Sequence, residues 1–559
     1  MSSWPSSSAL DASTQTFPVL SAAQIDRLRP FGKVRNVQAG ETLFQPGDLN
    51  IPFFVLLSGE MEIVQTEFNG ERQIATHVPG EFTGELTMIT GQRGLVLGRV
   101  TTPGEFLEIT AADLRSVIAR DADLSDVFMR AFILRRLALI SGGHGNVILL
   151  GSRHSANTLK LREFLGRNGY PHQYVDLDID KPSQELLDQF HVSAADIPVV
   201  ICGGKKVLRN PTPQQVADCL GFNASIDASK VRDVVIVGAG PSGLAAAVYA
   251  ASEGLDTLVI ETTSPGGQAG SSSKIENYLG FPMGLSGQEL AARAITQAQK
   301  FGAKMMVARS VARLNCDRKP FEVILDDDTV IETKAIIIST GAQYNKPDLP
   351  NLKNFEGRGV YYGATFIESQ LCQNEDVIVV GGGNSAGQAA VYLSQSARKV
   401  HMLVRSSGLA DTMSRYLIQR ITENPTIELH TKTQIVALEG NGDLQRVTWR
   451  DSATGQTSTH NIAHVFIMAG ASPRSNWLRG CVMLDEKGFI LTGRDLDSAA
   501  EAGTAEIWPL ARSPQMLETS LPGVFAVGDV RAGNVKRVAS AVGEGAIAVH
   551  MVHKTLAEI

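Results

Sequence analysis

Two glycine-rich turns in this sequence have the spacing that a pyrophosphate requires. In the first, an apolar run at 234–237 leads into a G-x-G-x-x-G turn at 238–243, and Glu261 closes the next apolar run, at 257–260. The glycines permit a tight turn, close approach of a pyrophosphate to a helix N-terminus, and close packing of helix on strand, while the acid accepts hydrogen bonds from ribose hydroxyls. The expected dinucleotide contacts are Gly238, Gly240, Pro241, Ser242, Gly243 and Glu261.

The second turn favours a phosphorylated nicotinamide dinucleotide. It reads Gly-Gly-Gly-Asn-Ser-Ala at 381–386, and the strand after it, at 399–404, ends in Arg405 rather than in an acid. An acid would repel a 2′-phosphate, whereas a guanidinium pairs with one, so this unit favours NADPH over NADH. The alternative reading of Arg405 is a solvated surface cation, since Ser406 and Ser407 add no second charge. The expected contacts are Gly381, Gly383, Asn384, Ser385 and Arg405.

Both turns belong to an internal duplication. Residues 234–249 and 377–392 each run from an apolar strand through a glycine turn into a helix, which predicts two dinucleotide-binding domains.

The length of 559 residues predicts additional domains, about three to five in total. The formal charge of -7 argues against a nucleic-acid partner, and no apolar run is long enough to predict a membrane span.

The cysteines are scattered along the chain, at Cys202, Cys219, Cys316, Cys372 and Cys481. No CxxC occurs, and no spacing pairs them. This usage predicts a reducing, cytoplasmic compartment with no disulfide framework. No metal site is expected.

The first 230 residues hold two further predicted domains. A serine-rich tail at 1–16, expected to be disordered, precedes short β-like runs and then helical periodicity at 17–140, which predict a small β-barrel followed by helices. After a glycine-rich linker, strand and helix patterns at 146–222 predict an α/β domain.

From residue 231 onward the chain resembles the low-molecular-weight thioredoxin reductase family. The segments that carry the resemblance are Gly-Gly-Gln at 266–268, Ile-Glu-Asn-Tyr at 275–278, Ser-Thr-Gly-Ala at 339–342, the second glycine turn, and Gly-Asp-Val at 528–530. The resemblance implies an FAD domain at 231–347 and 475–559, an NAD(P)H domain at 348–474 with hinges near 348–351 and 472–475, and a homodimer. It also assigns to FAD the residues Gly267, Gln268, Asn277, Thr340, Gly341, Asp529, Lys536, Arg537 and Val538.

The reactive dithiol of that family is missing. Where the family has Cys-Ala-Thr-Cys, this sequence reads Gly363-Ala364-Thr365-Phe366. Neither glycine nor phenylalanine can form a thiolate or a mixed disulfide, so the usual route from flavin to a protein disulfide is absent. Cys372 is read as a buried thiol. We expect electrons to leave for a small molecule, a quinone, oxygen or a docked protein.

The middle domain, 146–222, resembles the thioredoxin/glutaredoxin fold, with Ile197-Pro198 at the family's cis-proline position. Its reactive turn reads Ser152-Arg153-His154-Ser155, without a thiol. The resemblance therefore implies a docking or scaffolding role, and Cys202 and Cys219 are read as packed small hydrophobic residues.

The N-terminal domain, 17–140, resembles cyclic-nucleotide-binding domains. The resemblance assigns Gly84, Glu85 and Leu86 to the phosphate cradle and ribose, and Arg93 to the cyclic phosphate. The alternative is a barrel that serves packing alone.

These features predict a multi-domain chain with a β-barrel plus helices, a thioredoxin-like α/β domain and two Rossmann-like domains for FAD and NAD(P)H. The predicted function is an NAD(P)H-dependent FAD oxidoreductase of thioredoxin reductase type that passes electrons to an acceptor without a CxxC dithiol and is regulated by the N-terminal domain. Two alternatives stay open: a thioredoxin-disulfide reductase with an unconventional thiol, and a signalling flavoprotein that senses redox state and a nucleotide.

Overall fold

The computed structural model describes residues 15–558 except 68–69, 86, 91–92, 142–146, 154, 180–195, 203–205, 224–225, 273–274, 363, 365–368, 371, 469–470 and 497–507. The chain divides into two compact units. The first comprises Met1–Arg153, Lys160–Asp227 and Thr296–Ala308, and the second His154–Leu159, Ala228–Ile295 and Arg309–Ile559.

The first unit begins with a barrel made of two antiparallel sheets. Its strands are β1 (Gly32–Val37), β2 (Thr42–Phe44), β3 (Phe53–Leu56), β4 (Glu60–Glu67), β5 (Gly70–His77), β6 (Leu97–Thr102) and β7 (Gly104–Ile109). The strand orders are β1-β7-β3 and β2-β6-β4-β5. Fully buried phenylalanines, among them Phe53, Phe82 and Phe128, fill the space between strands and helices. The predicted β-barrel is confirmed.

Helices flank the barrel as α1 (Ala22–Leu28), α2 (Thr87–Thr90), α3 (Ala111–Arg120) and α4 (Ala122–Ser141). The helical periodicity predicted up to residue 140 therefore corresponds to two helices. They meet at Asp121, whose extended backbone ends α3 and whose carboxylate accepts a hydrogen bond from the backbone N–H of Leu124 (3.1 Å) at the start of α4.

The α/β domain of the first unit has a four-stranded sheet in the order β11-β10-β8-β9. The strands are β8 (Val147–Gly151), β9 (Gln173–Asp176), β10 (Val199–Cys202) and β11 (Lys206–Arg209), with helices α5 (Ala156–Arg167) and α6 (Pro213–Leu220). The Ile197–Pro198 peptide bond is cis, at the position that the sequence indicated. The helix predicted at 184–190, the turn at 203–204 and the linker at 142–146 lie outside the described residues.

The second unit contains the first dinucleotide domain. A sheet in the order β13-β12-β17-β16-β15 has β28 parallel to β17. Its strands are β12 (Arg232–Val237), β13 (Thr257–Glu261), β15 (Val311–Asn315), β16 (Phe321–Leu325), β17 (Val330–Ile338) and β28 (Val524–Ala526); β14 (Lys304–Val307) belongs to the first unit. The helices are α7 (Pro241–Ser252), α8 (Gly267–Gly270), α9 (Gly287–Lys300) and α13 (Val538–Glu558).

The second dinucleotide domain has an all-parallel sheet in the order β19-β26-β20-β21-β22. Its elements are β19 (Val360–Tyr361), β20 (Asp376–Val380), β21 (Lys399–Val404), β22 (Ile427–Thr431), β26 (His464–Ile467), α10 (Leu352–Phe355), α11 (Asn384–Leu393) and α12 (Arg415–Thr422). A separate antiparallel sheet consists of β23 (Thr433–Asn441), β24 (Asp443–Asp451) and β25 (Thr457–His460).

The two chain segments that connect these domains pair with each other. Strand β18 (Ala342–Tyr344) is antiparallel to β27 (Ala471–Pro473). Both strands lie beside the predicted hinges, so the connections form a two-stranded ribbon.

The expectation of no disulfide is wrong, because Cys316 and Cys481 are bonded across a sequence separation of 165 residues. Cys316 follows β15, and the fold brings Cys481 back to that edge, where its Sγ is also 3.3 Å from the carbonyl oxygen of Leu314. No local spacing could reveal such a pairing.

In the part of the chain that the structure describes, no helix is both long and apolar enough to cross a bilayer.

Candidate functional site

The first glycine turn forms an open cradle at the N-terminus of α7. Gly238 has φ +103°, and a Cβ there would lie 2.4 Å from the carbonyl oxygen of Ser339. A Cβ on Gly243 would lie 2.0 Å from the carbonyl oxygen of Gly238. A Cβ on Gly240 would meet only the Cα of Gly267, at 3.9 Å. Two glycines are therefore required by packing, and the middle one leaves space in front of the helix N-terminus, where a pyrophosphate binds favourably.

Glu261 lies beside this turn at the end of β13. The residue is buried, and its Oε2 accepts a hydrogen bond from the backbone N–H of Ala239 (2.8 Å). Its Oε1 accepts a hydrogen bond from the backbone N–H of Thr263 (3.0 Å). Oε1 also accepts from Oγ1 of Thr263 (3.3 Å). An ionised carboxylate has about four acceptor positions, so the position left for a ribose hydroxyl is on Oε2.

Asp529 supplies a half-buried carboxylate at the other side of the same turn. Its neighbour Gly528 has φ +72°, and a Cβ there would lie 2.6 Å from Oγ of Ser242. None of the described residues donates a hydrogen bond to the Asp529 side chain. Burial raises the pKa of Asp529, partly offset by the ammonium of Lys536. A half-buried acceptor without a donor is suited to a hydroxyl group of a ligand.

Other residues assigned to FAD lie around this cradle. Thr340 donates from Oγ1 to the carbonyl oxygen of Arg474 (2.8 Å), and Gln268 donates from Nε2 to the carbonyl oxygen of Ala342. Both contacts tie the cradle to the segments that enter or leave the second domain. Gly341 has φ +64°, and α13 begins at Val538. The side chains that are exposed are Asn277, Lys536 and Arg537.

The second glycine turn repeats the geometry at the N-terminus of α11. Gly381 has φ +140°, a Cβ there would lie 2.4 Å from the carbonyl oxygen of Met468, and Gly383 caps the helix. Asn384 accepts a hydrogen bond from the backbone N–H of Ser414 through Oδ1 (2.8 Å). Arg405 is exposed and makes no ion pair or hydrogen bond with any residue that the structure describes. Its guanidinium is available to a phosphate.

Sequence reasoning missed Glu544 and Ser339. Glu544, in the first turns of α13, accepts from the backbone N–H of Gly528 (2.7 Å) and pairs with Arg531 (2.6 Å), so it holds the loop that carries Asp529. Ser339 donates from Oγ to the carbonyl oxygen of Gly238 (2.6 Å). Glu544 lies 16 residues after Gly528, and no short spacing pattern links the two in the sequence.

Comparison with known proteins agrees with this geometry. Residues 232–545, more than half of the chain, match the family described as pyridine nucleotide-disulphide oxidoreductase. The chain belongs to this family. Thioredoxin reductase of Bacillus subtilis is 33% identical over 331 residues, which cover 59% of this chain and 96% of that protein. Thioredoxin reductase of Mycolicibacterium smegmatis is 32% identical over 59% of this chain and 97% of its own length.

Solved structures give the same result for the fold. Thioredoxin reductase of Lactococcus lactis superposes with a TM-score of 0.52 at 29% identity, over 59% of this chain and 100% of that chain. Residues 34–121 match the cyclic nucleotide-binding domain family. The chain is thus an FAD-dependent NAD(P)H oxidoreductase of the pyridine nucleotide-disulphide oxidoreductase family, and its two cradles and the donor-less Asp529 carboxylate fit these two cofactors.

Within the part of the chain that the structure describes, the cysteines do not restore the missing dithiol. Gly363, Thr365 and Phe366 lie outside them, and Ala364 is buried. Cys372 is fully buried, with its Sγ 3.6 Å from the carbonyl oxygen of Ser369. In the reactive turn of the α/β domain, Ser152 donates from Oγ to Asp178 (2.7 Å); His154 is outside the described part.

Cys202 and Cys219 are adjacent thiols in the core of the α/β domain. Cys202 is buried on β10, Cys219 is half-exposed on α6, and the two side chains share a hydrogen bond. That bond raises the pKa of Cys202 and lowers the pKa of Cys219 to about 7. Their packing in the core agrees with the sequence reading, but their proximity was not foreseen.

The residues assigned to a cyclic nucleotide contact other protein groups. Glu85 forms an ion pair with Arg136 (3.3 Å), both side chains being buried, and Arg136 also donates from Nε to the carbonyl oxygen of Gly169 (3.0 Å) in the α/β domain. Arg93 donates to the carbonyl oxygen of Gly47 (3.1 Å). Gly84 lines a cavity in the barrel, and Leu86 lies outside the described residues.

A group of metal-ligating side chains joins β21 and β22. The ligand atoms of His401, Glu428 and His430 lie within 4.8 Å of one another. Lys399 places its ammonium 2.5 Å from the Glu428 carboxylate, so the acid already has a cation. The group therefore carries no argument for a metal.

Proposed function

We propose that this oxidoreductase passes electrons from NADPH through FAD to an acceptor outside the chain, without a CxxC dithiol. The observation that carries the proposal is the sequence Gly-Ala-Thr-Phe at 363–366, combined with the absence of CxxC from all 559 residues. The burial of Cys372 supports it, because a thiol inside the core cannot exchange with a partner protein.

The chain's own residues have binding and orienting roles. FAD, when bound, supplies a group that takes a hydride from a nicotinamide and releases the electrons to an acceptor. The N-termini of α7 and α11 hold the two pyrophosphates, and Glu261 holds a ribose. Asp529 accepts a hydrogen bond from a flavin side-chain hydroxyl, and Arg405 pairs with a 2′-phosphate.

The ribbon of β18 and β27 is suited to act as the hinge between the two cofactor domains. Only two segments cross between the domains, and they are hydrogen-bonded to each other. Arg420 on α12 donates to Glu276 of the first dinucleotide domain (2.7 Å), which stabilises the observed arrangement. Because this pair is partly exposed, its contribution is small, about 1 kcal/mol or less.

The test is anaerobic reduction of the FAD-loaded protein with NADPH and, separately, NADH. The reduced protein is then mixed with oxygen, a quinone, ferredoxin or oxidised thioredoxin, and flavin reoxidation is followed by absorbance. We expect faster reduction by NADPH and reoxidation by at least one acceptor other than thioredoxin. Rapid reoxidation by thioredoxin would overturn the proposal.

A second candidate function follows from the hydrogen bond between Cys202 and Cys219. If these residues form a disulfide that accepts electrons, the chain is a disulfide reductase with an unconventional thiol pair. Counting thiols with Ellman's reagent before and after NADPH distinguishes the two functions. A gain of two thiols that is lost in the Cys202→Ser variant favours the second candidate, and no gain favours the first.

We further propose that the N-terminal domain regulates turnover through a bound ligand. The engagement of Glu85 and Arg93 with other protein groups does not favour a cyclic nucleotide. Steady-state turnover with and without cyclic AMP tests that ligand directly.

A cytoplasmic homodimer is proposed on the family resemblance, and sedimentation and cell fractionation test it.

A further inference from the structure

Two free thiols of the α/β domain lie in direct contact. Cys202 is the last residue of β10, and Cys219 lies in the last turn of α6, which packs on that strand. Their side chains share a hydrogen bond, although no CxxC spacing relates them in the sequence. Leu95 and Leu139 of the barrel domain belong to the same buried cluster. The thiol pair therefore lies in the core that the α/β domain shares with the barrel domain.

The two thiols differ in their exposure to solvent. Cys202 is buried, with 8% of the residue exposed, whereas Cys219 is partly exposed. A small solute therefore meets the sulfur of Cys219 rather than that of Cys202. This geometry gives the two residues an order, because Cys219 can react with a solute first and Cys202 can then react with Cys219.

The hydrogen bond between them also determines which thiol is ionised. It lowers the pKa of Cys219 to about 7, against the opposing effect of burial. It raises the pKa of Cys202, as does burial, so Cys202 remains the protonated donor. At neutral pH a substantial part of Cys219 is therefore thiolate, which is the nucleophilic form of cysteine.

Two cations stabilise this thiolate. Lys206 begins β11 directly opposite Cys202 in the register of β10 and β11, and its ammonium lowers the pKa of Cys219. Arg93 extends from the barrel domain to the C-terminal end of α6, where its Nε lies so close to Gly221 that a Cβ there would overlap it. Its guanidinium lowers the pKa of Cys219 as well. The C-terminal end of a helix disfavours a negative charge, and these two cations oppose that effect.

We propose that Cys219 and Cys202 form a site that reduces small hydroperoxides. In the first step the thiolate of Cys219 attacks one oxygen of the peroxide. The O–O bond breaks, an S–O bond forms, and the other oxygen leaves as hydroxide, which solvent protonates to water. Two electrons pass from the sulfur to the peroxide, and Cys219 becomes a sulfenic acid.

In the second step Cys202 converts this sulfenic acid to a disulfide. The sulfur of Cys202 attacks that of Cys219, so an S–S bond forms and the S–O bond breaks. The oxygen leaves as hydroxide and combines with the proton of the Cys202 thiol to form water. The two thiols supply both electrons. Neither FAD nor a nicotinamide takes part, so these steps do not rest on the proposed function.

The test uses the full-length, FAD-loaded protein without nicotinamide, and hydrogen peroxide as the probe. A small probe is chosen because a sulfur packed against a buried cluster is more open to a small solute than to the disulfide of a folded protein. The protein is reduced with dithiothreitol, freed of it and treated with one equivalent of hydrogen peroxide at neutral pH. Remaining thiols are then blocked with iodoacetamide, and tryptic peptides are identified by mass spectrometry.

Trypsin cuts after Lys206 and Arg209, between the two cysteines, so a disulfide between them joins two separate peptides. We expect this cross-linked pair of peptides after peroxide and its absence without peroxide. Cross-linking is specific to the two peptides, so Cys316 and Cys481 do not interfere with the readout. No cross-link between Cys202 and Cys219 after peroxide would overturn the proposal.

Two serine variants separate the roles of the thiols. Cys219→Ser should leave Cys202 unoxidised, because no thiolate remains to attack the peroxide. Cys202→Ser should stop at the sulfenic acid of Cys219, which dimedone traps. Cys372→Ser is the matched control, since Cys372 is a fully buried thiol, and the cross-link should be unchanged in it.

The roles are contradicted by oxidation of Cys202 in Cys219→Ser, or by the absence of a dimedone adduct on Cys219 in Cys202→Ser. If a serine variant does not fold, the cross-link in the native protein still decides. Because no nicotinamide is present, failure here leaves the electron-transfer proposal untouched.

Discussion

Replacing Asp529 should change flavin affinity and the stability of the flavin-free protein in opposite directions. In the flavin-free protein the carboxylate is half-buried and accepts no hydrogen bond from the described residues. Leaving a fully buried acceptor unsatisfied costs about 1 to 3 kcal/mol, and a half-buried one, which water still reaches, costs about 1 kcal/mol or less. Asp529→Ala removes that cost, so we expect the flavin-free protein to melt a few degrees higher, at about 2 to 4 °C per kcal/mol.

The same change removes an acceptor from the flavin site. A hydrogen bond to a charged group contributes about 1.5 to 3 kcal/mol, so FAD should bind roughly 10- to 150-fold more weakly to Asp529→Ala. Asp529→Asn is the matched control, because it keeps the size and one acceptor oxygen, and its affinity should be intermediate. Equilibrium dialysis with flavin fluorescence measures the affinity, and differential scanning fluorimetry measures the melting temperature. An Asp529→Ala protein that melts lower without flavin, or binds FAD as tightly as the native protein, would refute the reasoning.

Three further predictions concern charges and thiols. Arg405→Gln should lower the ratio of kcat/KM for NADPH over NADH by about tenfold, since it removes an exposed cation facing a 2′-phosphate, and an unchanged ratio would mean that Arg405 is only a surface residue. The alkylation rate of Cys219 should reach half its maximum near pH 7, because Cys202 donates a hydrogen bond to its thiolate, and Cys202→Ala should move that midpoint upward. Burial lowers the pKa of His77 and His464 below 6.5, so protons favour the unfolded chain; the melting temperature should rise from about pH 5 to about pH 7 and then level off, and a fall over this interval would contradict the assignment.

The local parts of the cofactor sites could be predicted from sequence. Residues close together in the chain determine three features of the first site. These are the glycine with φ above +100° at Gly238, the acid at Glu261 and the helix N-terminus at α7. Strand and helix periodicity likewise predicted most elements within a few residues. The sequence predicted helices after the barrel but did not place the boundary between them at Asp121, because the apolar periodicity continues across it.

The partners of charged and sulfur-containing side chains were decided by the tertiary structure. Glu85, which the sequence assigned to a ribose, forms an ion pair with Arg136. Cys316 is bonded to Cys481 across a sequence separation of 165 residues. A buried charge takes whichever opposite charge the fold places within a few ångströms, and no short-range pattern contains that information.

By itself, the sequence determined that this chain has two dinucleotide cradles and no CxxC, because a glycine turn and a missing thiol are properties of neighbouring residues. Only the tertiary structure decided that the barrel domain buries the guanidinium of Arg135. That guanidinium donates to carbonyl groups from two separate segments, one with Thr16 and the other with Phe82 and Gly84, and their convergence exists only in the folded chain.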